Sequence, residues 1–206
     1  MSKDALLDEP FVSRETMERL EIYAGLLSKW NPAINLVAPS TISDLWTRHF
    51  LDSIQVYEQG GVHVGKWCDL GTGGGFPGLI TAIVAQEHDP DRRTICIESD
   101  VRKATFLRTV IRETGINVSV IAQRIEQVSP QGAEVVSARA LAPLDRLLGF
   151  AQPHLSTGGI CIFLKGENYQ SEVNEALENW QFDLDTYPSK TNPNAVVMRI
   201  GDLKRA

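Results

Sequence analysis

The sequence predicts an α/β fold: a mostly parallel seven-stranded sheet flanked by helices on both faces, with one antiparallel strand and an N-terminal helical extension. Three observations predict it. The glycine-rich stretch from Asp69 to Gly78 lies between two apolar runs, Val64 to Cys68 and Leu79 to Ala85, and reads as strand, tight turn and helix start. From Gly65 onward, short apolar strand-like segments alternate with helical ones, the pattern that builds a parallel sheet. The last two such segments are joined by Pro188-Ser189-Lys190-Thr191-Asn192-Pro193-Asn194 with no helix between them, so they form a hairpin and one strand runs antiparallel.

Residues 1–60 make the extension and 61–206 the α/β domain. Ser13 suits a helix N-cap, with Met17, Leu20, Ala24 and Leu27 on one face, and Asn31-Pro32 is expected to stop that helix. Thr41 is expected to cap a second helix, with Asp44 three residues on as an imperfect capping box. Ile42, Leu45, His49, Phe50, Ile54 and Tyr57 line its buried side, and Gly60-Gly61 ends it. Strands fit at about 65–70, 93–98, 117–122, 133–138, 159–164, 181–187 and 195–200. Helices fit at about 77–87, 100–114, 143–151 and 169–178, with Gly115 as a C-cap and Pro143 at a first turn.

Composition narrows the function classes. An apolar content of 43% is that of an ordinary globular protein, and no apolar run approaches the roughly 20 residues of a membrane helix. Met1 to Pro10 carries four charged side chains and no apolar segment, unlike a secretory signal, so a cytoplasmic location is expected. Cys68, Cys96 and Cys161 each fall in a buried strand segment and read as small core residues; no Cys/His spacing suggests a metal. The net charge of −6 disfavours a nucleic-acid partner, but residues 99–146 hold seven basic and five acidic side chains, so an anionic partner would meet the middle of the chain.

The glycine spacing selects a cofactor. Gly71, Gly73 and Gly75 occupy every second position, with Asp69 two residues upstream. A dinucleotide fingerprint needs a third glycine three residues after the second, where Phe76 stands. An acidic residue before G-x-G-x-G is the pattern of S-adenosylmethionine enzymes. A pyrophosphate seeks bare helix N–H groups, whereas a donor carrying an ammonium and a sulfonium is helped by a carboxylate, and Asp69 is the candidate. Glu98, twenty residues beyond Gly78 at the end of the second strand, is placed to bind a ribose hydroxyl pair, or to serve as a helix N-terminal charge. Ligands in such sheets lie beyond the carboxyl ends of the strands. Those ends carry Asp69, Glu98, Gln123 to Glu126, Ser137 to Arg139 and Lys165-Gly166.

Several blocks resemble the bacterial 16S ribosomal RNA guanine-N7 methyltransferases, also called glucose-inhibited division protein B. They are Asn35-Leu36, Arg48-His49-Phe50-Leu51-Asp52-Ser53, the Asp69–Gly78 stretch, Glu98-Ser99-Asp100-Val101-Arg102-Lys103, Arg124-Ile125-Glu126, Ser137-Ala138-Arg139-Ala140 and Leu164-Lys165-Gly166. The resemblance implies a Rossmann-like class I methyltransferase fold, S-adenosylmethionine as cofactor, and a guanine of small-subunit RNA as substrate. It places Gly71 and Phe76 at the cofactor turn, Ile125 and Glu126 beside the adenine ring, and Arg139 at the cofactor. One departure is Gly74, where many members have proline. Arg48, Arg102, Lys103, Arg139 and Lys165 are candidates for RNA phosphate, with Arg48 equally able to pair with Asp52 on a helix surface. No catalytic base and no metal are expected, and the chain is expected to act as a monomer without a stable protein partner. The rival readings are a methyltransferase acting on a small molecule or protein, and a binding protein that has kept the pocket.

Overall fold

A computed structural model describes residues 3–61 and 65–206, apart from the side chains of Asp4 and Ala5. Val64, at the start of the apolar run before the glycine turn, lies outside these residues, as do Met1 and Ser2 of the N-terminal stretch. Seven strands, β1 (Lys66–Leu70), β2 (Arg93–Ile97), β3 (Val118–Ile121), β4 (Ala133–Arg139), β5 (Leu155–Lys165), β6 (Trp180–Pro188) and β7 (Val196–Arg205), form one sheet in the order β3-β2-β1-β4-β5-β7-β6. All neighbouring pairs are parallel except those made by β7, which runs antiparallel to both β5 and β6. The strand order reverses between β1 and β4, so the ligand crevice is expected above those two strands.

The helices are α1 (Arg14–Ile34), α2 (Asp52–Gly60), α3 (Gly78–His88), α4 (Val101–Thr114), α5 (Leu144–Ala151) and α6 (Tyr169–Ala176). On one face, α1, α2, α3 and α4 share a single apolar core that includes Leu20, Tyr23, Leu27, Phe50, Ile54, Leu79, Ile83 and Phe106. The other face is covered by α5 and α6. The extension is therefore a second helical layer over α3, which explains why residues 78–85 are buried on every side and read as a continuous apolar run.

Two expectations are corrected. Pro32 does not stop α1, which runs on to Ile34 and ends with Asn35 in the left-handed region at φ 49°. The proline sits in the last turn, where few hydrogen bonds remain to be lost, and Asn31 is held in helical conformation because its Oδ1 accepts the Val37 N–H (2.8 Å) and its carbonyl the Asn35 N–H (3.0 Å). Thr41 caps no helix: it closes a short 3-10 turn, Pro39–Thr41, and its hydroxyl contacts His49. A π-helical stretch, Leu45–Leu51, then leads into α2. The crossover from β3 to β4 carries only a 3-10 turn, Ile125–Gln127, which leaves that end of the sheet open.

Candidate active site

Sheet register builds the turn from below. Asp69 pairs with Ser137 across β1 and β4, and the Ser137 hydroxyl donates to Asp69 Oδ1 at 2.6 Å. Oδ2 accepts the Gly78 N–H at 3.1 Å and the Thr72 hydroxyl. Gly78 is the first residue of α3, so a carboxylate of the chain itself occupies the helix N-terminus where a pyrophosphate would bind. Asp69 is fully buried and turned inward, where it braces the turn from below. Burial pushes its carboxyl up to about 7, against the opposing pull of Ser137, the Gly78 N–H and Arg139.

Gly71, Gly73 and Gly75 take φ of 59°, 57° and 104°, the left-handed region that favours glycine. The space around them differs. A Cβ on Gly75 would lie 2.4 Å from the Tyr23 hydroxyl, and one on Gly71 2.5 Å from Leu141 Cδ1. A Cβ on Gly73 meets nothing closer than the Gly71 carbonyl at 3.8 Å, so the space over Gly73 is open. Beside it, Glu98 accepts the Gly73 N–H (2.8 Å) and the Asp100 N–H (2.7 Å). Each carboxylate oxygen keeps a lone pair for a ribose hydroxyl. Ile125 is half-buried against the core at the exit of β3 and offers an apolar edge; Glu126 next to it is exposed, 4.0 Å from Arg146. These residues fit S-adenosylmethionine: open space over Gly73, a ribose acceptor, an apolar flank, and a helix terminus already occupied by the Asp69 carboxyl.

The Phe76 ring does not face the hollow. It is buried in an aromatic cluster, 5.4 Å from Tyr23, 5.9 Å from Phe50 and 5.1 Å from His49, with the Arg139 guanidinium 4.8 Å above it, so only its backbone belongs to the turn. Arg139 Nη1 also donates to the Arg48 carbonyl at 3.3 Å, joining β4 to the extension. Tyr23, which sequence reasoning did not single out, donates its hydroxyl to the Gly74 carbonyl, and Leu36 packs so closely on Gly74 that a Cβ there would lie 2.9 Å from the Leu36 carbonyl. The signal was present: Tyr23 shares the buried face of α1, and a buried phenol needs a hydrogen-bond partner.

Past Arg139 opens a cleft of about 870 Å³. Arg48, Asp52, Arg139, Leu141, Lys165 and Thr191 are among the residues that line it. The structure thus brings Arg48, Arg139 and Lys165 together, while Asp69 holds Thr72, Gly78 and Ser137, and Glu98 separately holds the Gly73 N–H. Arg48 forms no ion pair with Asp52, and Arg102, at the start of α4, pairs with Asp100 at 3.4 Å. The Lys165 ammonium donates to Glu172 Oε2 on α6 (2.5 Å) and to the Ala142 carbonyl in the loop after β4 (2.8 Å). Glu172 also accepts the Leu144 N–H at 2.7 Å.

His49 is poorly suited to act as a base. Its Nε2 lies 2.8 Å from Thr41 Oγ1, its Nδ1 is buried without a partner, and burial, with Arg139 and Arg48 close by, pushes its pKa down to about 3. An unfolded chain protonates this ring near 6.5 and the folded one does not. Stability from His49 is therefore intact above pH 6.5 and is lost as pH falls toward 3. Replacing it as His49→Gln is expected to flatten the acid limb of stability, by at most about 2 kcal/mol at pH 5 before solvent screening is discounted. Thermal midpoints at pH 7 and pH 5 check this; an unchanged slope would remove His49 from the acid response.

The family model described as rRNA small subunit methyltransferase G (GidB) matches residues 16–195. Ribosomal RNA small subunit methyltransferase G of Ruegeria sp. (strain TM1040) is 50% identical over 194 residues, covering 94% of each chain. Its counterpart in Paramagnetospirillum magneticum is 49% identical over 205 residues, covering 100% of this chain and 98% of the relative. Among solved structures, a SAM dependent methyltransferase from Aquifex aeolicus superposes with a TM-score of 0.59 at 12% identity, covering 85% of this chain and 97% of that one. The O-methyltransferase from Bacillus cereus in complex with SAH gives 0.57 at 15%, covering 97% and 96%. At such identities the two structures support the fold alone: a Rossmann-like class I methyltransferase sheet. The match along most of the chain, with relatives about half identical over nearly their whole length, shows that this protein belongs to the rRNA small subunit methyltransferase G (GidB) family.

Proposed function

We propose that this chain transfers a methyl group from S-adenosylmethionine to N7 of a guanine in the decoding region of 16S ribosomal RNA, working as a monomer in the cytoplasm. The observation that supports this reading is the glycine turn, with Glu98 bonded to the Gly73 N–H, adjoining a cleft lined by Arg48 and Arg139. When bound, S-adenosylmethionine supplies an electrophilic methyl on its sulfonium. Guanine N7 carries a free lone pair, so the chain has no proton to remove there, and a histidine kept neutral down to about pH 3 is no obstacle. Cys68, Cys96 and Cys161 are buried and free, which leaves no exposed thiol as a nucleophile.

The work of the chain is positioning, which can lower a barrier by as much as about 7–11 kcal/mol. The Gly71–Gly75 turn and Glu98 hold the donor, Ile125 and Glu126 flank its adenine, and Arg139, fixed over Phe76, stands at the border of donor hollow and cleft. Arg48 and Arg139 are placed to hold RNA phosphate, with Lys165 shaping the loop between them. The deep, narrow major groove of A-form RNA hides the N7 edge, so the base enters the cleft from a loop or rotated out of a helix. Residues 1–60 act with the 61–206 domain by supplying Tyr23, Leu36 and Arg48 to the site.

The test is transfer of labelled methyl onto small subunits from a strain lacking the modification, followed by nucleoside digestion. Label is expected in 7-methylguanosine. Label confined to ribosomal protein or a small molecule, with none in guanine, would favour the rival methyltransferase reading.

A further inference from the structure

A cleft that accepts a purine by its N7 must still tell guanine from adenine, because both present N7 as an acceptor. They differ on the opposite edge, where guanine offers N1–H and N2–H₂ donors. The matching group is an acceptor with two adjacent oxygens and no proton, a carboxylate. Three carboxylates border the cleft: Asp44, Asp52 and Glu172. Glu172 Oε2 is already held by Lys165 and the Leu144 N–H. Asp44 is exposed and its side chain caps nothing.

Asp52 is different. It is the first residue of α2, half-buried, and its Oδ1 accepts hydroxyl bonds from Thr191 and from Ser189 (3.3 Å) on the loop joining β6 to β7. Those bonds fix the plane of the carboxylate, and Oδ2 receives no hydrogen bond from the chain's described residues. Gln55, one turn on, ties the same loop down through the Pro188 carbonyl (2.7 Å) and the Lys190 N–H (3.0 Å), so the carboxylate stands on a rigid support. Burial raises the Asp52 carboxyl, with Thr191, Arg139, Ser189 and Arg48 opposing it.

Resting on the guanine reading above, we infer that Asp52 is the specificity-determining residue for the target base: its carboxylate, chiefly through the open Oδ2, accepts hydrogen bonds from the N1–H and N2–H₂ edge of guanine. A site built around such bonds rejects an analogue that lacks the donor, because its own buried group is then left unpaired.

The test uses small subunits reconstituted with either guanosine or inosine at the target position; inosine keeps N7 and N1–H but lacks the N2 amine. The wild-type protein is expected to lose at least tenfold in kcat/KM on inosine. Asp52→Asn is expected to lose at least 30-fold on guanosine and less than threefold more on inosine. Its Oδ1 can still accept from Ser189 and Thr191, so affinity for S-adenosylhomocysteine is expected unchanged. The guanosine-to-inosine ratio is taken within one preparation, so partial unfolding cancels from it. Asp52→Asn with the wild-type ratio, or a wild-type protein indifferent to the amine, overturns the inference and leaves Asp52 as a clasp for the loop. A wild-type protein that methylates no guanosine N7 overturns the underlying function instead.

Discussion

Gly73→Val is expected to abolish S-adenosylmethionine binding while the fold survives. At Gly73 the backbone has φ 57° and an added Cβ has no neighbour nearer than 3.8 Å, so the first carbon of the side chain displaces no part of the protein. Its cost to the fold is the left-handed conformation, about 1–2 kcal/mol for a side chain with a Cβ. For a chain of this length that lowers the thermal midpoint by roughly 2–8 °C. The valine methyls, however, fill the hollow beside Glu98. Calorimetry should show at least a hundredfold weaker affinity in a protein whose midpoint remains well above assay temperature. Gly71→Val fails by another route, because its Cβ would first strike Leu141. Micromolar affinity retained by Gly73→Val would place the donor elsewhere.

Asp69→Ala is expected to be the most damaging substitution to the fold. It leaves the Ser137 hydroxyl, the Thr72 hydroxyl and the Gly78 N–H buried without their acceptor. With about 1–3 kcal/mol for each orphaned buried group, the loss is on the order of 3 kcal/mol or more. The thermal midpoint should fall by roughly 6–12 °C or more, and donor binding should go with it, since the turn and the start of α3 lose their common anchor. Asp69→Asn should be far milder and should reveal the titration. The folded carboxyl titrates near 7 and an unfolded one near 3.8, so the folded protein binds the extra proton between these values. Stability from this group is full below about 3.8 and is lost as pH rises through 7. The wild-type advantage over Asp69→Asn should therefore shrink between pH 4 and 8. An advantage that grows over that range would mean the carboxylate is ionised and fully compensated in the fold.

How much of this was legible in the sequence depends on the range of the interaction. The strands and helices from Gly65 onward follow from local periodicity, and each lies within a few residues of its expected place. The glycine turn is legible because positive φ imposes glycine at three alternate positions. The extension was harder. Pro32 remains helical through Asn31, whose side chain bonds six residues ahead, and the π-helical stretch before α2 has no local signature. In the site, the chemistry of the residues was legible and their direction was not. Asp69 faces inward because the register sets it against Ser137, 68 positions away. Lys165 is engaged because α6 brings Glu172 back over the end of β5. Tyr23 reaches the turn from 51 positions away. Such pairings arise only once the sheet is closed.

The most direct measurement of the central claim is a crystal structure with S-adenosylhomocysteine bound. The product is expected over Gly73, with its ribose hydroxyls on Glu98, its adenine against Ile125, and the sulfur facing the cleft at Arg139. A product molecule lying outside the Gly71–Gly75 hollow, or a phosphate seated at the Gly78 N–H in place of the Asp69 carboxylate, would contradict it.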